Sequence, residues 1–144
     1  MKARDISELE RYIRWIANEM GLRDWTFHVV IAQPTAKGSD DGSGHEWGAM
    51  CTPIPGRKHA TLTFHPERRD DELAELRQTV VHELVHCHFF GLWDTCRRDL
   101  PLDEEAYEMW IEGVRRHMEY GVDAVADAIA PRMPLIKWPT KGTR

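Results

Sequence analysis

Two periods of apolar residues alternate along the chain and divide it. Ile6, Leu9, Ile13, Ile16 and Met20 recur at helical spacing, Asp5 and Glu8 form a capping-box pattern, and Gly21 ends the run. The spacing predicts a first helix over Asp5 to Met20, with one apolar face that must lie against the rest of the domain. The period then shortens. Trp25 to Ala32, Trp47 to Pro53 and Ala60 to His65 are short runs rich in β-branched and aromatic residues and read as three strands. Pro55-Gly56 turns the chain between the last two, and Pro66 closes the third.

The helical period returns at Asp70 or Asp71, either of which can cap a helix running to about Phe90. Leu73, Leu76, Val80, Val81, Leu84, Val85 and Phe89 surround this helix with apolar surface. A helix apolar on nearly all sides belongs in the middle of a domain. Gly91 is read as its stop, and Leu92 to Leu102 as a loop. Pro101 and Asp103 introduce another helix to Tyr120, with Tyr107, Trp110, Ile111, Val114 and Met118 on its apolar face. Gly121 is read as an interruption before a short helix from Val122 to Ala130. The pattern predicts an α+β domain over residues 1–130, with helices packed on a small three-stranded sheet. Residues 131–144, rich in proline and basic residues, are expected to form a non-helical tail. Leu135, Ile136 and Trp138 can pin part of it.

Composition narrows the function classes. A chain of 144 residues, 42% hydrophobic and 30% charged, suits one domain with a real core. A net charge of −5 gives no general attraction to nucleic acid or to an anionic membrane. The apolar runs are too short to span a bilayer, and residues 1–20 do not resemble a secretory signal. Cys51, Cys87 and Cys96 are odd in number and lack a disulfide spacing, which points to reduced thiols in a cytoplasmic protein. The polar loop from Pro34 to Glu46 contains Asp40-Asp41-Gly42, but not the remaining ligand positions of a calcium loop.

The chemistry concentrates in the buried helix, at Val80-Val81-His82-Glu83-Leu84-Val85-His86. His82 and His86 are four residues apart and share a face, so they can share one Zn²⁺ ion. Glu83 beside the first histidine can serve as a general base. The bland alternative is a pair of core histidines and a paired acid, but burying all three groups without a ligand is costly. The longer pattern H-E-x-x-H-x-x-G-x-x-H fails, because Phe89 and Leu92 occupy its last two fixed positions. A third ligand must come from elsewhere. The acid-rich start of the following helix offers Glu104, Glu105 and Glu108. Glu105 lies opposite the apolar stripe centred on Tyr107, on a face that can meet the zinc helix. Glu104 and Glu108 flank that stripe, and all three glutamates stay open on spacing alone.

His82-Glu83-Leu84-Val85-His86, followed nineteen positions later by Glu105-Ala106, resembles the gluzincin metallopeptidases, the thermolysin-like and aminopeptidase group. There a glutamate on the following helix, often before a small residue, is the third ligand, so the resemblance implies Glu105 as the expected ligand, with Glu108 as the alternative. The order of helix, short sheet, zinc helix and glutamate helix also resembles a minimal zincin core. The short chain and the Ala60–Phe64 strand before the zinc helix resemble small metallopeptidase-like proteins encoded by bacteriophages. The resemblance covers roughly residues 25–120. One departure stands out: thermolysin-like enzymes carry an acid four residues after the ligand, and here Met109 stands four after Glu105.

The implied function is zinc-dependent hydrolysis of a protein or peptide substrate by a monomer, with one Zn²⁺ and with Glu83 as base. Relatives of this kind supply an oxyanion donor from a later segment, for which His117, Tyr120 and Tyr107 are the candidates. His45, in the polar loop, can reach a substrate. The Ala60–Phe64 strand can be an edge that binds an extended peptide, or an ordinary core strand. The competing expectation is a zincin-fold interaction module that keeps the metal and does not cut.

Overall fold

The computed structural model describes residues 3–34, 48–66, 73–98 and 100–138. The elements in chain order are helix α1 (Ala3–Glu19), strands β1 (Thr26–Ile31), β2 (Ala49–Pro53) and β3 (His59–Phe64), helix α2 (Leu73–Cys96), helix α3 (Glu104–Ile129) and a 3₁₀ turn at Ala130–Arg132. The architecture is α+β, as expected, with three helices and a small mixed sheet. The expected caps at Asp70 or Asp71, the calcium-type stretch Asp40-Asp41-Gly42 and His45 lie outside the described residues.

The strand order is β1-β3-β2. β3 pairs parallel with β1, Val29 opposite Leu62, and antiparallel with β2, Cys51 opposite Leu62. The Ala60–Phe64 strand is therefore central, and its edge role is corrected. Ala60, Leu62 and Phe64 are buried while His59, Thr61 and Thr63 are half-buried, so one face joins the core, and pairing with β1 and β2 takes both edges. The strand with a free edge beside α2 is β2.

The core is formed by Leu9, Ile13 and Ile16 of α1, Val29, Leu62 and Phe64 of the sheet, and Val80, Val81, Leu84 and Val85 of α2. Val122 and Ala126 of α3 complete it. Each fully buried aliphatic side chain contributes about 1.5–3 kcal/mol. This burial fixes α2 between the sheet and α3, with the second turn of its His-Glu motif held among core residues.

Both glycine breaks fail to appear. α2 continues through Gly91 to Cys96, and α3 continues through Gly121 to Ile129. A helical glycine costs only about 1 kcal/mol against alanine, which flanking burial offsets. Phe90 and Trp93 are half-buried on either side of Gly91, and Val122 and Ala126 are fully buried after Gly121. The start of α3 follows expectation, with the Asp103 side chain accepting from the Ala106 N–H at 2.8 Å.

The C-terminal segment is pinned along Met133–Trp138. The Tyr12 hydroxyl donates to the Pro134 carbonyl at 2.7 Å, and Arg77 donates to the Met133 carbonyl at 3.0 Å. Ile136 is buried and Trp138 half-buried against the core, while Leu135 is exposed. No helix among the described residues is long and apolar enough to cross a membrane.

Candidate metal centre

α2 presents His82 and His86 on one face, one turn apart, and α3 packs against that face. The two Nε2 atoms stand 3.2 Å from each other. The third group is Glu119, whose Oε2 lies 3.5 Å from His82 Nε2 and 3.6 Å from His86 Nε2. These are the groups that could hold a metal ion among the described residues. The donor set fits one. Two imidazole nitrogens and a carboxylate oxygen at roughly 2.0–2.1 Å from a tetrahedral zinc would be about 3.3–3.4 Å apart, close to the three distances seen.

The expected third ligand, Glu105, is not brought to the histidines. It is exposed in the first turn of α3, as are Glu104 and Glu108. Fourteen residues separate Glu105 from Glu119, about 21 Å along a helix axis. The early turns of α3 face the C-terminal end of α2, where Tyr107 donates to the Arg97 carbonyl and the Trp110 indole to the Cys96 carbonyl. An antiparallel partner reaches the level of His82 and His86 only several turns later. The signal that finds Glu119 was present: Asp123 stands four residues after it, the acid that Glu105 lacks.

Asp123 completes the arrangement. Its Oδ1 is 3.0 Å from His82 Nδ1. A carboxylate on Nδ1 favours the proton there, which would leave the Nε2 lone pair for a bound cation.

The electrostatics of the cluster are strongly coupled. Burial acts to lower the His82 pKa, but the hydrogen bond to Glu119 and the charges of Glu83, Glu119 and Asp123 outweigh it, so the net shift is upward. His86 moves down, mainly through burial, with the neighbouring His82 adding to it. Burial acts to raise Glu119, but its hydrogen bond to His82 and the charges of His86, His82 and Arg115 hold it below the usual carboxylate range. The shifts favour Glu119 as the carboxylate and His86 as the neutral ring, the forms in which each binds a cation, whereas His82 favours its protonated ring and would give up that proton to a bound ion.

Glu83 is the single buried charged residue of the described core, 5% exposed. Burial pushes its pKa up to about 7, against the pull of His82 and the Cys51 backbone N–H. One carboxylate oxygen, Oε2, is buried without a hydrogen-bond partner among the described residues. An unpartnered buried carboxylate oxygen is expensive, which points to a group bound in the adjoining cleft.

That cleft has a volume of about 340 Å³. β2 forms one wall, from Ala49 to Pro53, and α3 the other, with Arg115, Met118 and Glu119. His82, Glu83 and His86 form its floor, which continues along α2 to Phe90, Trp93 and Arg97. No protein-family model, curated protein or solved structure matches the chain. What the site can do therefore rests on its own geometry.

The remaining candidates lie elsewhere. His117 is exposed, with Nδ1 2.8 Å from the Gly113 carbonyl, and it lines a separate apolar groove with Trp110 and Met109. Tyr120 is 64% exposed and Tyr107 is half-buried against the end of α2. None of the three lines the cleft. Cys87 is buried, its sulfur 3.7 Å from that of Cys51, and His88 is exposed. His28 is exposed on β1, while His59 and His65 are half-buried on and just beyond β3, all outside the cleft lining.

Proposed function

We propose that this protein is a zinc-dependent peptidase of zincin type, with His82, His86 and Glu119 holding the ion and Glu83 as general base. The observation that carries the reading is the convergence of three ligand atoms within 3.2–3.6 Å beside a buried glutamate whose second oxygen lacks a partner. When bound, zinc would supply a Lewis acid and a lowered water pKa. The chain's own groups do the rest. Glu83, poised near neutrality, can take a proton from water and return it to the leaving amine. The Cys51 N–H holds one end of that carboxylate and fixes its direction. Asp123 orients His82 through Nδ1.

Asp123 four residues after Glu119 supplies the acid pair that Glu105 lacks, although Glu119 lies thirty-three positions past His86 and precedes Tyr120 rather than a small residue. Substrate would lie in the cleft between β2 and α3. The bonds of Gly48 with His65 and of Ile54 with His59 bracket the β2–β3 ladder. By antiparallel alternation, the Ala49 N–H and the Ala49, Cys51 and Pro53 carbonyls then point toward the free edge, where the Cys51 N–H is already taken by Glu83. An extended peptide could pair there.

A second reading, a metal-holding interaction module, draws on the groove of about 480 Å³ between α2 and α3 and on exposed Leu92, Met109 and Trp110 beside it. The two separate by experiment. The zinc-loaded chain should cleave a peptide library, lose that activity to a chelator, and lose it in Glu83→Gln while retaining zinc. Bound zinc without chelator-sensitive cleavage would leave only the interaction module.

A further inference from the structure

The metal-proximal cleft is polar at one end and cationic at the other. At the His82 end stand Glu119 and the exposed Asp123. The other end runs along α2 through Phe90 and Trp93 to Arg97, and along α3 to Arg115. Arg115 is held in place by a two-bond fork to Glu112, both bonds 3.0 Å. Glu112 also faces Arg116 at 3.8 Å.

Arg97 is different in kind. Its guanidinium carbon lies 5.5 Å from the centre of the Trp93 ring, within range of a cation–π contact. No carboxylate pairs with it among the described residues, although Glu104, Glu105 and Glu108 are exposed on the early turns of α3. The adjacent Arg98 shows the contrast: its charge is paired with Asp94, one turn back on the same helix. A cation on an indole at the cleft wall keeps its planar fork free for a bidentate acceptor.

Distance sets the position of that acceptor. Trp93 is seven residues past His86 on α2, about 10 Å along the axis, and Arg115 is four residues before Glu119, about 6 Å. An extended peptide advances about 3.3 Å per residue. We propose that the cleft selects substrates carrying a carboxylate within about three residues of the bond to be cut, with Arg97 and Arg115 as the groups that recognise it. The carboxylate is that of a free C-terminus or of an acidic side chain. This inference rests on the peptidase reading for its substrate and deepens it.

The test uses the full zinc-loaded chain and three probes: N-acetylated hexaalanine with a free C-terminus, its C-terminal amide, and that amide with one internal alanine replaced by glutamate. Turnover is measured on the parent chain and binding on Glu83→Gln, by quenching of tryptophan fluorescence. One or both carboxylate probes should bind about tenfold more tightly than the neutral amide, and the ratio should shrink as salt rises. Whichever probe is favoured identifies the source of the carboxylate. Arg97→Gln should bring the ratio close to one, Arg115→Gln should reduce it with zinc content unchanged, and Arg98→Gln should leave it as in the parent. Equal binding of all three probes, or a preference that survives both Arg97→Gln and Arg115→Gln, overturns the inference. Preferential carboxylate binding without turnover of any probe upholds it and tells against the peptidase reading instead.

Discussion

Asp123 Oδ1 lies 3.0 Å from Nδ1 of His82, on the side of the ring away from His86. The contact ties α3 to α2 one turn beyond Glu119. Asp123 is itself mostly exposed, 62% by side chain, so the contact is poorly explained as a stabilising ion pair, which at such exposure contributes little. On the metal-binding reading proposed above, it orients His82.

Asp123→Asn should therefore weaken zinc binding by about 10- to 100-fold while leaving the fold intact. Competition against a chromophoric chelator measures the first, and circular dichroism the second. Unchanged affinity would mean that Asp123 has no part in holding His82.

The two glutamates should separate cleanly. Glu119→Gln removes a ligand and should cost about 100-fold or more in zinc affinity, beyond the loss of an orienting partner. Glu105→Gln, at an exposed position about 21 Å along the helix, should leave the affinity unchanged. The reverse ranking would restore Glu105 as the ligand and contradict the packing of α3.

How far the sequence reaches is clearest at this pair. His82 and His86 were legible because four-residue spacing fixes a shared face whatever else the chain does. Glu119 was hidden by a local inference about a different residue. Reading Gly121 as a break put Glu119 and Asp123 on separate elements, so that their helical spacing went unseen. Burial of Val122 and Ala126 carries the helix through the glycine, and that is a tertiary effect. The centrality of β3 was equally out of reach. Its alternation shows which face is buried, but the parallel pairing with β1 is a long-range choice that no local pattern encodes.

Gly91 offers a direct check on the continuous α2. Its exposed position leaves nothing within 4 Å of an added Cβ. Gly91→Ala should stabilise the protein by about 0.5–1 kcal/mol, since the residue is helical and alanine loses less backbone freedom on folding. Chemical denaturation measures it. A destabilised variant would indicate a chain reversal at this position rather than helix.

Tyr12 ties α1 to the C-terminal segment. Burial pushes its phenol up to about 12, with the charge of Arg77 opposing. The neutral phenol is the form favoured by the fold. The stability linked to it is fully present below pH 10 and is lost as pH rises through about 12. Ultraviolet titration should show a late-ionising tyrosine that disappears in Tyr12→Phe. The same variant should lose about 1 kcal/mol, the net value of the hydrogen bond to Pro134. A variant of parental stability would mean that this bond does not secure the segment.

The most direct measurement is an anomalous difference map collected at the zinc absorption edge from crystals of the zinc-loaded protein. The account predicts one peak per chain, ligated by His82 Nε2, His86 Nε2 and a Glu119 carboxylate oxygen, with Glu83 beside it and outside the ligand set. A peak ligated by Glu105 or Glu108, or no peak between the two histidines, would contradict it.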